Sequence, residues 1–263
     1  TIAEQNLKKL QTEIEELYTF NDHAFVEEFE TDHVDLFYKK IAPTTASKYS
    51  MFCGNHDNLI FSEIENNNQV FVKKEKEYIE ALEYSIKAAS FELYYKLLQI
   101  FYLAEYFIEM KEIYNSDFIQ AYKSSIDYYC VFKEHLKRLV IDYKEYTTYG
   151  KINVDFKYDI RRLQTPKIKF SLSECMTDNC DEVIFINVFN NENAYVVLST
   201  YGDFSKKFED YELIEYILIN STNIFFNKEF FENLSIEEKS SLFKFRRGLN
   251  SFEDEINLLS VLR

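Results

Sequence analysis

The chain has 263 residues, a formal net charge of −15, 25 Phe and 21 Tyr but no Trp, and only four Gly and two Pro. That length buries a sizeable core, in one large domain or two intimate ones, and the scarcity of breakers calls for long uninterrupted elements rather than low-complexity or disordered chain. Four glycines leave almost no room for a glycine-rich phosphate loop, and an acidic surface field repels phosphate backbones unless a metal or a local basic patch intervenes.

In chain order, residues 2–18 place Leu7, Leu10, Ile14 and Leu17 on one helical face. The stretch HVDLFYKKI (33–41) alternates loosely and predicts a strand ending at Pro43. A short helix is expected over 57–66, stopped by Asn66-Asn67-Asn68. From Val72 to Tyr146 there is neither Gly nor Pro, and Asn115-Ser116-Asp117 is the one good breaker. Two long helices, about 74–114 and 117–146, therefore form an antiparallel hairpin, with Ser116 or Asp117 capping the second. Within the first, LYYKLLQIFYLAEYFI (93–108) is apolar nearly all round. Lys96, Gln99 and Glu105 interrupt it and it falls short of a membrane span, so a buried core helix is predicted.

After Gly150 the period changes to two. Strands are predicted at 152–160, 167–173, 182–189 and 194–201, the last two joined by a four-residue turn at Asn190-Asn191-Glu192-Asn193. DYELIEYILIN (210–220) reads as helix and NIFFN (223–227) as a buried strand. Residues 236–247 read as a helix capped by Ser235 and stopped by Gly248, and the tail is amphipathic. The sum is α+β: a long helical hairpin packed with a mainly antiparallel sheet. Residues 1–150 form a mainly helical part and 151–263 an α+β part, expected to make one compact unit.

Charge and cysteines add two expectations. Residues 1–66 carry 13 acids against 5 bases, the most acidic part of the chain. The cysteines stand at 53, 130, 175 and 180, and no secretory signal is visible, so a reducing cytoplasm is the expected compartment, with no membrane segment. The chain starts at Thr1 inside what reads as a helix start, which leaves room for residues upstream.

The densest chemistry lies in FCGNHDNLIFSEIEN (52–66). Cys53 and His56 have metal-ligand spacing across a turn opened by Gly54, and His33, Glu63 or Glu65 could complete a site. Alternatively His56 is a general base oriented by a carboxylate. A third reading makes Asn55 or Asp57 a helix cap and Cys53 a small buried residue. Cys175 and Cys180, in CMTDNCDE, read as reduced thiols on a turn, with no second pair to make a zinc site. Lys157, Arg161, Arg162, Lys167 and Lys169 form a basic cluster that either seats a phosphate or nucleic acid or is a solvated strand face. His23 and His135 stand alone.

Phe52, Cys53, His56, Asp57, Phe61, Ile64 and Glu65 together spell F-C-x2-H-D-x3-F-x2-I-E. This resembles the signature of a group of uncharacterised bacterial proteins in which a following helix carries Arg-x4-Glu-Leu. Lys87, Glu92 and Leu93 match that pattern with Lys in place of Arg, which weakens any bidentate carboxylate contact. Thr1-Ile2 with Leu7 and Leu10 is similar to the end of an upstream stretch that in the group contains a cysteine pair and a histidine, both absent here. That layout is similar to the start of zinc-bearing HNH-type nucleases, an analogy only.

Two functions are therefore expected. One is a metal-dependent hydrolase or nuclease in bacterial defence or mobile-element conflict. It would use His56, Asp57, Glu65, Lys87 and Glu92, and a divalent metal such as zinc at Cys53 and His56. The alternative is a non-enzymatic acidic module that binds a basic protein partner or mimics nucleic acid.

Overall fold

The computed structural model describes residues 17–20, 38–41, 60, 61, 64, 71, 73–109, 116–163, 170–177, 182–191, 193–202, 213, 216, 217, 221 and 224–246. Two strands, β1 (Leu17–Phe20) and β2 (Tyr38–Ile41), precede a 3-10 turn and the helices α1 (Glu77–Glu109) and α2 (Ser116–Tyr149). Then come β3 (Phe156–Leu163), β4 (Phe170–Thr177), β5 (Val183–Asn191), β6 (Asn193–Tyr201) and β7 (Phe225–Phe226), and the helices α3 (Lys228–Asn233) and α4 (Ile236–Arg246). Leu213, Tyr216 and Ile217 are also helical. Among the described residues the strands form one sheet, ordered β2-β1-β7-β4-β5-β6-β3, with every pairing antiparallel. The fold is α+β with a helical hairpin, as the sequence predicts, and no described helix is long and apolar enough to cross a membrane.

Both faces of the sheet are covered, which explains why EVIFINVF is nearly continuous in apolar residues. Ile184, Ile186 and Val188 of β5 join Leu172, Met176, Val196 and Leu198 in a core closed by Leu213, Ile217, Phe231, Leu242 and Phe243. The alternate residues Val183, Phe185 and Phe189 point the other way, with Cys175, Tyr195 and Val197, into a core built on α1 and α2. The period of two therefore sorts one strand between two separate cores.

Local chemistry sets the corners. Gly150 takes a φ of +67° after the last turn of α2 and donates its N–H to the Tyr146 carbonyl at 2.8 Å, the left-handed helix end for which glycine is suited. Asp142, buried, then accepts from the Tyr201 hydroxyl and from Asn153 Nδ2 at 2.9 Å, tying helix, corner and β6. Ser235 and Glu238 make reciprocal caps on α4, at 3.1 and 2.7 Å.

Several expectations shift. Leu17 and Tyr18 belong to a strand, not to the end of a helix, because LYTF is seated between β2 and β7 and tertiary pairing overrides local helical spacing. The Asn190–Asn193 turn is tighter than four residues, since Asn191 pairs with Asn193. Cys175 lies inside β4 rather than on a turn. The 93–108 segment is not buried throughout: Tyr95 and Leu98 are exposed, and Phe101 and Tyr102 are 59% and 65% exposed. A 33-residue helix is about 50 Å long, whereas nine-residue strands reach only about 30 Å, so the end of α1 overhangs the sheet. Lys157 and Arg162 of the basic cluster are exposed on β3, and Arg161 holds Asp159 at 2.8 Å. Lys167, Lys169, His23, Cys180 and the predicted tail helix lie outside the described residues.

β7 is the short link between the β1-β2 hairpin and the larger sheet. Phe226 lies opposite both Tyr18 and Phe170 and is fully buried. Phe226→Ala should cost about 3–5 kcal/mol. Amide hydrogen exchange should show protection lost first at 17–20 and 38–41, with 183–201 protected longest; uniform loss would mean that β7 is not a separable link.

Candidate functional site

α1 is where the predicted site residues meet the described structure. Every residue from 81 to 90 is buried, because the helix is covered by the sheet, by α2 and by residues 60, 61 and 64, which follow FCGNHD in sequence. Ile60, Phe61 and Ile64 of that segment are helical and buried in the same core. The chain then returns to α1 through Phe71. This residue takes a φ of +58°, a left-handed conformation that costs a non-glycine residue about 1–3 kcal/mol. The strain is offset locally. Phe71 N–H donates to Glu80 Oε2 at 2.7 Å, and its ring lies 5.6 Å from Tyr84, which stacks on Phe189 at 4.6 Å.

Lys87 is 1% exposed, and its Nζ sits 4.3 Å from the centre of the Phe61 ring. A desolvated cation–π contact contributes about 2 kcal/mol. Desolvating an ammonium costs several kcal/mol, so this ring alone cannot hold the charge, and Lys87 makes further interactions. Glu83 and Glu80, one and two turns earlier on the same stripe, are also buried.

Glu92 is 4% exposed. Five residues from Lys87, it lies about 140° further round the helix. Its Oε1 is 3.7 Å from Lys96 Nζ, and its Oε2 has no hydrogen-bond partner among the described residues. Burial, reinforced by the Glu174 charge and opposed by Lys96, raises its pKa to about 8. Cys175, fully buried, has its thiol pKa pushed well up by burial and by the Glu92 and Glu174 charges, so it is a thiol and not a nucleophilic thiolate. His135, half-buried against Phe185 and Tyr201, is pushed down by burial and by Arg138.

The sheet-facing side of α1 is held by polar contacts as well as apolar ones. The Ser85 hydroxyl donates to the Ala81 carbonyl at 2.6 Å and meets the Ser199 hydroxyl of β6. Asn187, in the same row as Phe185 and Phe189, donates from Nδ2 to the Tyr84 carbonyl at 3.3 Å and accepts from the Ser173 hydroxyl at 2.6 Å. These contacts fix helix against strands more specifically than apolar packing does.

Of the predicted site residues, Lys87 and Glu92 are thus on α1, facing different neighbours. Cys53, His56, Asp57 and Glu65 lie outside the described residues. No group of three His, Cys, Asp or Glu among the described residues is placed to hold a metal, so any centre would draw at least part of its ligand set from residues outside them. Sequence reasoning missed Glu80, Glu83, Glu174 and Asn187. The signal was present: Glu80, Glu83 and Lys87 share one stripe of a helix otherwise apolar on that face. No family model, no curated protein and no solved structure matches this chain.

Glu92 gives a pH test. Its folded pKa lies above its unfolded value of 4.5, so the folded state holds the proton more tightly. Its stabilising contribution is complete below that value and is lost as pH rises towards 8. Glu92→Gln, which stays neutral, should gain on the wild type through this window, by a few kcal/mol (~1.4 kcal/mol per pH unit at most). Denaturant melts at a series of pH values would show it; a difference independent of pH would place an ionised Glu92 in the fold.

Proposed function

We propose that the chain is a metal-dependent hydrolase of phosphodiester bonds, acting in bacterial defence or conflict with mobile elements. Its centre is the Cys53-His56-Asp57 motif, which continues in sequence to Phe61, the residue that touches Lys87. The contact of buried Lys87 with the Phe61 ring carries this reading: Phe61 belongs to the motif, four residues after Asp57, so a buried cation lies next to the segment that bears the chemistry. His56 acts as base or metal ligand, Asp57 and Glu65 orient it or share a divalent cation, and Cys53 is a further ligand. Zinc suits that mixed sulfur, nitrogen and oxygen set. Lys87, being buried, would act on the phosphate through its field and not by direct contact. Glu92 has other neighbours, Lys96 on its own helix and Glu174 on β4.

A second reading is favoured by a different observation. The overhanging end of α1 exposes Tyr95, Leu98, Phe101 and Tyr102 on a chain of net charge −15. A non-enzymatic acidic module that captures a basic protein or mimics nucleic acid fits that surface, and its binding would weaken steeply with ionic strength.

Elemental analysis and a nuclease assay separate the two. The enzyme reading expects about one metal per chain, lost in Cys53→Ala and His56→Ala. It also expects His56→Ala and Asp57→Asn to lower turnover by about 10²- to 10⁴-fold with circular dichroism unchanged. Unchanged turnover in folded His56→Ala would sink it.

A further inference from the structure

β3 ends the sheet, and among the described residues it pairs only with β6. It is eight residues long and contains no proline, so its backbone is long enough to pair and its charged side chains decide what it can pair with. It carries Lys157, Asp159, Arg161 and Arg162, three cations and one anion in a strongly acidic chain, so a second acidic copy meets less repulsion there than elsewhere. Asp159 is 41% exposed at its side chain.

The geometry points to the edge of β3 as a homodimer interface, in which β3 of one copy pairs antiparallel with β3 of a second copy and Ile160 lies on the two-fold axis. Charge complementarity selects this register. Only alternate residues of an edge strand turn their N–H and C=O outward, so a two-fold antiparallel pair sets each residue opposite one of the same parity. Two such registers pair all but one of the eight β3 residues. The first centres on Asp159; it sets Asp159 against its own copy and Lys157 against Arg161, like charge on like. The second centres on Ile160; it sets Asp159 against Arg161 twice, and the Tyr158 ring against the Arg162 guanidinium twice. Asp159 and Arg161 already pair within one strand at 2.8 Å, and the second copy turns two such pairs into one cluster of alternating sign.

Charge reversal tests the register. The full chain, kept reduced because Cys130 is exposed, is examined by sedimentation velocity. Wild type should be a dimer at micromolar concentration. Asp159→Arg and Arg161→Asp should each be monomeric, with circular dichroism unchanged. Mixing the two variants should restore a one-to-one dimer, since Arg then meets Asp at both positions, and the double variant should dimerise alone. A monomeric wild type overturns the proposal and leaves the cations of β3 for an acidic peptide or nucleic acid. A dimer insensitive to both substitutions, or variants that stay monomeric when mixed, overturns it equally.

Discussion

Ten successive residues of α1, 81–90, are buried, and the rest of the structure follows from supplying cover on every side of that helix. An amphipathic helix needs one packing partner; this one needs three. The sheet provides the side met by Ser85, α2 provides another, and Ile60, Phe61, Ile64 and Phe71 provide the third. Because Glu80, Glu83 and Lys87 lie within or beside this stretch, the third cover must answer charge as well as exclude water. The strained Phe71, held by a carboxylate and by ring stacking, is the local cost of that closure.

The hairpin and the alternating strands were legible because their signals are local: absence of Gly and Pro across 72–146, and a period of two after 150. What was not legible depends on distant partners. Leu17 and Tyr18 follow a helical spacing, yet a strand more than two hundred residues later recruits them. The exposed aromatics of 95–102 look like core in sequence, because sequence records hydrophobicity and not how far a helix projects past its sheet.

Of the candidate site residues, those on α1 can be compared with their described surroundings. Lys87 and Glu92 stood out through their spacing, and the described neighbours of the two differ, Phe61 for Lys87 and Lys96 for Glu92. The Glu174 charge, which helps to raise the pKa of Glu92, comes from a strand over eighty residues away, and no pattern near Glu92 announces it. Asn187, hidden in a row of apolar residues, shows the converse: a polar residue in a strand core is a local oddity whose purpose becomes visible only when the helix carbonyl of Tyr84 lies above it.

The bridge from Tyr18 to Phe226 has a consequence for how the chain is made. On the ribosome, β1 and β2 emerge early, but the strand that joins them to the main sheet is translated last among the seven. Until then, among the described residues, β1 has only β2 beside it, and a lone pair of four-residue strands is marginal in water. The main sheet and the two long helices can assemble first, from neighbours close in sequence. Completion then waits on a two-residue strand, so a hairpin made before the long helices is the last to find its place.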